Sequence, residues 1–199
     1  MKYYAVKRGR VTGILNSWEE TEKSVKGFKG AKYKSFGTRE EAKQYLLEDN
    51  EIKAVTTFSK EELNGIHMWT DGTYKDGRTG YGILIVIDGD IKEEIYGECA
   101  STSSRNVQGE VVAVLKAIQL SIDRGYEEIT IHYDYLGIGA WLTGEWEVGS
   151  DIGELYVKDY YKLTEKIKCT LLKTIGHDID GFNRKVDLLA KKGIGIIEE

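Results

Sequence analysis

Four carboxylates stand at places in the chain where they could together hold divalent metal ions. Two follow apolar, strand-like runs, one lies early in a helical stretch and one lies in the last helical stretch: Asp71, Asp134, Glu110 and Asp187. Neighbouring carboxylates repel one another, and hard cations such as Mg²⁺, which prefer oxygen ligands, relieve that repulsion. Two such ions about 3.5–4 Å apart can activate a water and stabilise the leaving oxygen of a phosphodiester. The residue types therefore indicate metal-assisted phosphodiester hydrolysis.

Each carboxylate taken alone also has a structural explanation. Asp71 precedes a glycine and could start a turn, Glu110 could cap a helix, and Asp187 could be a solvent-exposed helix residue. The stretch "ITIHYDYLGIG", residues 129–139, raises the same question for Asp134, because a carboxylate at a strand end is often a turn residue. Only a fold that brings the four together would favour the metal site.

The elements that would position these carboxylates follow an α/β order from Ile66 onward. Three strands joined by turns predict an antiparallel meander, and residues 106–125 predict an amphipathic helix with Asn106 as a candidate N-cap. A helix after the meander allows the next strand to pair parallel with the first strand. Asp71 at the end of the first strand would then lie beside Asp134. The predicted fold class is α/β.

The composition predicts a chain that folds around an apolar core without entering a membrane. Of the 199 residues, 41% are apolar, which is enough for a core. The longest apolar run, residues 81–87, is too short to cross a bilayer, and the N-terminus lacks the apolar stretch of a signal peptide. Cys99 and Cys169 form neither a metal-type spacing nor a disulfide framework. We therefore expect a cytoplasmic monomer with free thiols, no zinc, no membrane association and no protein partner.

Charge is distributed unevenly along the chain. Residues 1–47 carry 11 Lys/Arg against 5 Glu, a net charge of +6, and residues 48–199 carry 17 against 28, a net charge of −11. A basic appendage on an acidic body is typical of nucleic-acid binding, because Lys and Arg neutralise phosphates. A basic face that is merely solvated is the alternative.

The basic N-terminal unit is predicted to contain three strands and two helices. Ser17 followed by Glu20, and Thr38 followed by Glu41, are capping boxes that mark the two helix starts. Residues 48–65 are charged and weakly periodic, and we interpret them as a linker. The unit interleaves Lys and Arg with aromatic residues, a composition suited to phosphates and bases: Tyr4, Trp18 and Tyr33.

The N-terminal unit resembles a known domain along nearly its whole length. The stretches "YYAVKRGRVTGI", "SWEETEKSVKGFKGAKYKSF" and "TREEAKQYL" are similar to the hybrid-binding domain at the N-terminus of many type 1 ribonucleases H, which viroplasmin-like proteins also carry. The resemblance implies that residues 1–47 bind RNA/DNA hybrid across its minor groove. Ser35 stands where the family has a second basic residue. The contacts that the resemblance implies fall on four residues: Tyr4, Trp18, Tyr33 and Lys34.

The acidic body, residues 66–199, resembles the catalytic domain of type 1 ribonuclease H. The motifs "TDGTY", "NVQGE", "YDYLGI" and "GHDIDGFNRKVDLLAKK" follow the four acidic motifs of that family in order and spacing. The resemblance implies a mixed five-stranded sheet with flanking helices. It also implies four ligands for two Mg²⁺ ions, with Mn²⁺ as the alternative ion: Asp71, Glu110, Asp134 and Asp187.

Three further residues receive roles from the resemblance. His177, ten residues before Asp187, matches a loop histidine that assists product release or proton transfer. Asn183 matches an asparagine near the active site, and Asn106 matches a residue that contacts the hybrid in its minor groove. Helix capping explains the two asparagines equally well.

The sequence therefore predicts an endonuclease that hydrolyses the RNA strand of RNA/DNA hybrids by two-metal-ion catalysis, leaving 3′-hydroxyl and 5′-phosphate ends. Two alternatives stay open: a hybrid-binding protein whose nuclease fold is inert, and a related nuclease that acts on DNA junctions or transposon ends. The lysine-rich protrusion of some relatives is missing from residues 140–168, where Trp141 and Trp146 are expected in the core. Without that protrusion, the acidic body would depend on the basic unit for affinity.

Overall fold

The computed structural model describes most of the chain: residues 2–47, 52–55, 63–101, 103–174 and 181–196. At positions 47, 52–55 and 106 it describes the backbone alone. No helix in these ranges combines the length and the apolar character that are needed to span a bilayer.

The N-terminal module, residues 2–47, is a three-stranded antiparallel sheet with two helices. Its elements are β1 (Tyr3–Arg8), β2 (Gly13–Leu15), α1 (Trp18–Val25), β3 (Lys32–Phe36) and α2 (Arg39–Leu47), and its strand order is β2-β1-β3. Both predicted capping boxes are present, because the Glu20 amide donates to Ser17 Oγ and the Glu41 amide donates to Thr38 Oγ1, each at 3.2 Å. The buried apolar side chains of the module are few and come from β1, α1 and α2: Ala5, Val6, Val25, Ala42 and Leu46.

The body of the protein is a mixed sheet with helices on both faces. Its strands are β4 (Ile52–Val55), β5 (Ile66–Lys75), β6 (Arg78–Ile87), β7 (Asp90–Cys99), β8 (Glu128–Tyr133) and β9 (Lys168–Thr174), in the order β4-β9-β8-β5-β6-β7. Its helices are α3 (Arg105–Asp123), α4 (Gly137–Thr143), α5 (Asp151–Leu163) and α6 (Phe182–Gly193). Strands β5, β6 and β7 form the predicted meander, and β8 pairs parallel with β5. The predicted α/β class with a mixed sheet is therefore confirmed.

The body sheet has six strands in the described part of the chain, where five were expected. The additional strand comes from the stretch 48–65, which was predicted to be a linker, and it pairs parallel with β9 from Ile52 to Val55. Leu63, in the same stretch, is buried in a cluster with Trp69. The linker prediction is thus wrong at these positions. A short edge strand depends on a neighbouring strand for its hydrogen bonds. Because that neighbour lies more than a hundred residues away in the sequence, no local pattern predicts the strand.

Apolar side chains fill both faces of the body sheet. The larger core includes Met68 and Ile83 of the sheet, Val114 of α3 and Tyr156 of α5. On the opposite face α6 packs against the sheet, and its main buried contacts come from two side chains of the helix and two of the sheet: Val186, Leu189, Trp69 and Leu84. This packing holds α3 and α6 on opposite sides of β5, the central strand that carries Asp71.

The N-terminal module lies against the body through polar contacts near the ends of α4 and α5. Arg8 forms an ion pair with Glu165 at 3.0 Å, and Lys43 forms one with Glu145 at 2.5 Å. Helix α2 and strand β2 also contact α4. Exposed ion pairs of this kind contribute little stability individually, and salt or a competing polyanion can weaken this part of the contact.

Candidate active site

Three of the four predicted carboxylates meet at one end of the body sheet. Asp71 lies on β5, Glu110 lies on α3, and Asp134 directly follows β8. One carboxylate oxygen from each residue lies within 4.8 Å of the corresponding oxygens of the other two. Asp71 and Glu110 are buried, whereas Asp134 is exposed to solvent. The cluster therefore has two buried members and one that faces the surface.

Two glycines allow Asp71 and Glu110 to approach. A Cβ atom on Gly72 would collide with the backbone of Gly109 and with the Glu110 amide nitrogen, and a Cβ atom on Gly109 would collide with Gly72 Cα. The backbones of β5 and α3 thus touch next to the two carboxylates. Neither glycine was predicted to have a role, although each directly neighbours a predicted ligand in the sequence, and that adjacency is the signal that could have identified them.

The prediction that Asp71 ends its strand is wrong. Asp71 pairs with Gly82 in the middle of β5, because the antiparallel hairpin with β6 continues as far as Lys75. The parallel pairing between β5 and β8, by contrast, ends at Trp69. Asp71 therefore lies beyond the end of the β8 ladder, where Asp134 leaves the sheet, and the two carboxylates still become neighbours.

Burial is the main cause of the unusual protonation at this site. It raises the pKa of Asp71 to about 7, and repulsion from Asp134 and Asp187 adds to the effect. Burial, followed by repulsion from Asp71 and Asp134, raises the pKa of Glu110 well above its usual range. The interaction between the two carboxyl groups raises the pKa of Glu110 further and lowers that of Asp71. Without a cation, the site therefore relieves its repulsion by holding a proton.

The donor set fits a divalent cation. Glu110 Oε2 is buried without a hydrogen-bond partner among the residues that the structure describes, and a buried polar atom of this kind is costly unless a ligand satisfies it. Oxygens of Asp71 and Asp134 complete a set of hard ligands of the type that Mg²⁺ and Mn²⁺ bind. A cation at this place would remove the reason for the raised pKa of Asp71 and Glu110.

Asp187, the fourth predicted ligand, lies beside the cluster and not within it. Its carboxylate on α6 is half-buried and accepts an ion-paired hydrogen bond from Lys191 Nζ at 2.6 Å. It is nevertheless close enough for its charge to raise the pKa of Asp71. The described structure thus brings three of the predicted ligands together and places the fourth within electrostatic range.

The remaining predicted site residues have different outcomes. Asn183 lies in the first turn of α6, where Gly181 is the N-cap residue, and its Nδ2 lies 3.5 Å from Asp134 Oδ2. Capping therefore does not explain Asn183, and its position beside Asp134 agrees with the predicted place near the active site. Asn106 lies in the first turn of α3, whose N-cap residue is Ser104, so Asn106 is not the cap. His177 lies outside the described residues.

Two aromatic residues near the carboxylates were missed or misjudged. Tyr135 follows Asp134 directly, and the pKa of its phenol is raised by burial and by the nearby Glu110. The ring of Trp146 lies 6.4 Å from the ring of Tyr135, and Trp146 is 41% exposed. The expectation that Trp146 is a core residue is therefore wrong, whereas Trp141, which is 7% exposed, is in the core.

The predicted nucleic-acid surface of the module is an aromatic strip. The ring of Trp18 lies 5.8 Å from that of Tyr4 and 6.1 Å from that of Tyr33. Trp18 and Tyr33 are 47% and 42% exposed, so a large part of each ring is accessible to a ligand. Three aromatic rings in a row on a basic module form a surface on which sugars or bases can lie.

Lys34 lies on the other face of the module sheet. It pairs with Ala5, whereas Tyr33 pairs with Val6, and neighbouring residues of a strand point to opposite faces. The Lys34 ammonium lies over the rings of Phe36 and Tyr45 at 5.4 and 5.9 Å. The structure thus groups the three predicted aromatic contacts and leaves the predicted phosphate contact apart from them. The period-two alternation of the strand could have revealed this.

Comparisons with known proteins agree with this arrangement of a small module and a larger body. The family model described as reverse transcriptase-like matches residues 69–193, and the chain belongs to this family. The model described as ribonuclease H1 N-terminal domain matches residues 2–46. The resemblance to type 1 ribonucleases H with an N-terminal hybrid-binding domain is therefore confirmed.

The curated relatives match over short stretches. The chain is 48% identical over 48 residues to ribonuclease H of Saccharomyces cerevisiae, which covers 24% of this chain and 14% of that protein. It is 50% identical over 44 residues to ribonuclease H of Crithidia fasciculata, which covers 22% and 9%, respectively. The matched stretches thus span only a small part of these relatives.

Solved structures resemble the body. RNase H1 from Halobacterium salinarum is 20% identical, with a TM-score of 0.58, over 67% of this chain and 100% of that chain. LC11-RNase H1, solved in complex with RNA/DNA hybrid, is 18% identical, with a TM-score of 0.55, over 65% of this chain and 96% of that chain. These likenesses show that the body has the RNase H1 fold.

Proposed function

We propose that this protein is a ribonuclease H, an endonuclease that hydrolyses the RNA strand of RNA/DNA hybrids and leaves 3′-hydroxyl and 5′-phosphate ends. Residues 1–47 would form the hybrid-binding domain and residues 66–199 the catalytic domain. The observation that carries the proposal is the convergence of Asp71, Glu110 and Asp134 within 4.8 Å on a chain whose N-terminal stretch matches a ribonuclease H1 domain.

The carboxylates would bind two Mg²⁺ ions. Glu110 and Asp134 would hold one ion and Asp187 the other, and Asp71 would contribute to both sites. The bound ions would activate the attacking water and stabilise the leaving 3′ oxygen. Asp187 would have to exchange Lys191 for an ion, which is a small rearrangement because their ion pair is partly exposed.

Other side chains would bind and position the hybrid. The aromatic strip of Tyr4, Trp18 and Tyr33 would contact the DNA strand, and contacts to 2′-hydroxyls would identify the RNA strand. Asn183 would orient the carboxylate of Asp134, to which it lies close.

Three predicted roles remain part of the proposal. Lys34 would bind a phosphate, Asn106 would contact the minor groove, and His177 would assist product release or proton transfer. Lys34 lies on the face of the module sheet opposite the aromatic strip. The phosphate that it binds would therefore belong to a part of the nucleic-acid backbone that passes the edge of the module.

The decisive experiment is a cleavage assay on three labelled duplexes: RNA/DNA hybrid, double-stranded RNA and double-stranded DNA. We expect cleavage of the hybrid alone, in the RNA strand, with Mg²⁺ present. A chelator and the substitution Asp71→Asn should each abolish it, while Asp71→Asn retains hybrid binding. Hybrid binding without cleavage in the unmodified protein would instead identify an inert binding protein, and cleavage of double-stranded DNA would identify a different nuclease.

A further inference from the structure

A cleft of about 870 Å³ lies between the N-terminal module and the body. Its walls include β1 and β3 of the module and, in the body, the loop after α3 and the segment that leads into β9. The cleft residue Glu127 precedes β8, and Asp134 follows it. The six residues of β8 span about 20 Å at about 3.3 Å per residue. The cleft is therefore distinct from the carboxylate site, at the opposite end of the same strand.

The cleft is basic, although it borders an acidic body. Two carboxylates, Glu127 and Glu165, face five cationic side chains, three from the module and two from the body: Lys7, Arg8, Lys32, Lys166 and Lys168. Arg8 pairs with Glu165 at 3.0 Å, and Lys168 pairs with Glu128 at 2.6 Å. A positive cleft between two domains attracts anions.

Two of the cations approach from opposite walls and are available to a ligand. Lys32 on β3 and Lys166 before β9 are both exposed. Neither forms an ion pair with a carboxylate in the described ranges of the chain. An ammonium group without a carboxylate partner on each wall can contact phosphates of a backbone that runs through the cleft.

The floor of the cleft is apolar and partly aromatic. Leu46 and Ile167 are buried, and Tyr126, which also lines the cleft, is half-buried. Cationic walls with aromatic or apolar surfaces between them are the composition of single-strand binding grooves, in which phosphates meet cations and bases stack on rings. The volume is in the range of small-ligand sites, about 300–1,000 Å³, which suits a few nucleotides of one strand.

We infer that this cleft binds a single nucleic-acid strand, with Lys32 and Lys166 contacting phosphates and Tyr126 contacting a base. A substrate whose duplex part lies elsewhere on the protein would place a single-stranded extension here. The inference does not depend on cleavage, and it holds equally for a protein whose carboxylate site is inactive.

The test is binding of a labelled oligothymidylate of about eight nucleotides, within the site sizes known for single-strand grooves, to the 199-residue chain without divalent ions. The variant Lys32→Glu/Lys166→Glu should weaken binding about tenfold and flatten the dependence of log K on log salt by about 1.4, since each phosphate contact contributes about 0.7. The control Lys92→Glu/Lys158→Glu changes the net charge equally at exposed positions outside the cleft. Thermal melting of both variants checks that they fold.

Three results would overturn the inference. The first is an affinity of the cleft variant equal to that of the wild type, and the second is equal weakening by the control variant, which would reduce the effect to net charge. The third comes from a parallel titration with thymidine monophosphate. If this nucleotide binds as tightly as the oligonucleotide, the cleft is a mononucleotide site. Cleavage of hybrid is measured separately, so that loss of the proposed nuclease function is not mistaken for loss of this site.

Discussion

The N-terminal module and the body place their functional side chains in opposite environments. The module has a net charge of +6, a core of a few small side chains and an aromatic strip whose members Trp18 and Tyr33 are exposed. The body has a net charge of −11 over residues 48–199, a large core and a carboxylate cluster in which Asp71 and Glu110 are buried.

This difference shows how binding and chemistry make different demands on a fold. A binding surface requires only a few exposed aromatic rings and charged side chains. Its charges act through solvent and are therefore screened by salt. A metal site needs several oxygens in one small volume, so the body holds carboxylates where burial and mutual repulsion disfavour their charge. Substitutions in the body should therefore change catalysis and pH dependence, whereas substitutions in the module should change affinity.

The largest effect is expected from Glu110→Gln. The amide can still donate to Asp71 but cannot supply a charged ligand, so kcat on RNA/DNA hybrid should fall by about 10³-fold or more, with hybrid affinity nearly unchanged. Single-turnover cleavage and fluorescence anisotropy measure the two quantities. Glu154→Gln, at an exposed position of α5, is the matched control, and retention of full activity by Glu110→Gln would contradict the proposed site.

A smaller effect, on KM and not on kcat, is expected from Trp18→Ala/Tyr33→Ala. Each exposed ring that stacks on a sugar or base contributes about 1–3 kcal/mol, so the KM for hybrid should rise at least about tenfold while kcat stays within about twofold. Steady-state kinetics over a range of salt concentrations measures both. Tyr96→Ala, which removes an exposed ring from β7 of the body, should leave KM unchanged. A fall in kcat alone would show that the two regions do not divide their work as proposed.

Stability without divalent ions should depend on pH through Asp71. Its pKa is about 7 in the folded protein against 3.8 ordinarily, so between these values the folded state keeps a proton that the unfolded state has lost. The free energy of unfolding of the wild type should therefore decrease as pH rises from about 4 to about 7.

The substitution Asp71→Asn removes this penalty. Its Tm should equal that of the wild type near pH 4 and exceed it by about 8–16 °C at pH 8. The pKa difference corresponds to about 4 kcal/mol, and about 1 kcal/mol moves Tm by about 2–4 °C at this size. Calorimetry in a chelator measures the difference, with Asp123→Asn, at an exposed position of α3, as the control. Added Mg²⁺ should raise the Tm of the wild type more than that of Asp71→Asn. A pH-independent difference would refute the assignment of the raised pKa.

The smallest effect is expected at the contact between the two regions. Glu145→Gln/Glu165→Gln removes the body carboxylates that pair with Lys43 and Arg8. Because exposed pairs contribute about 0.2–1 kcal/mol, hybrid affinity should rise about two- to fivefold at low salt and show no change at high salt. Anisotropy titrations at two salt concentrations measure this, and Glu127→Gln, which removes a carboxylate without an ion pair in the described ranges, is the control. A lower affinity would mean that the docked arrangement is the one that binds hybrid.

Much of the fold was predictable because its signals are local. The capping boxes at Ser17 and Thr38, the meander from β5 to β7 and the parallel return of β8 all follow from short patterns that the structure confirms. The strand at 52–55 was not predictable, because its hydrogen bonds go to β9. Trp146 was misplaced for a similar reason, since no local pattern states whether a tryptophan beyond the end of α4 meets solvent or core.

By itself the sequence determined the order of the elements other than the strand at 52–55, the division into a basic and an acidic part, and the four carboxylate positions, because each of these follows from residue type and spacing. Only the tertiary structure decided that Asp71, Glu110 and Asp134 meet while Asp187 pairs with Lys191. It also decided that Lys34 lies apart from the aromatic strip, and that the two parts enclose a basic cleft. The physical reason is that distances between remote segments depend on how closely their backbones pack, here through Gly72 and Gly109. Burial then sets the pKa of the carboxyl groups that this packing brings together.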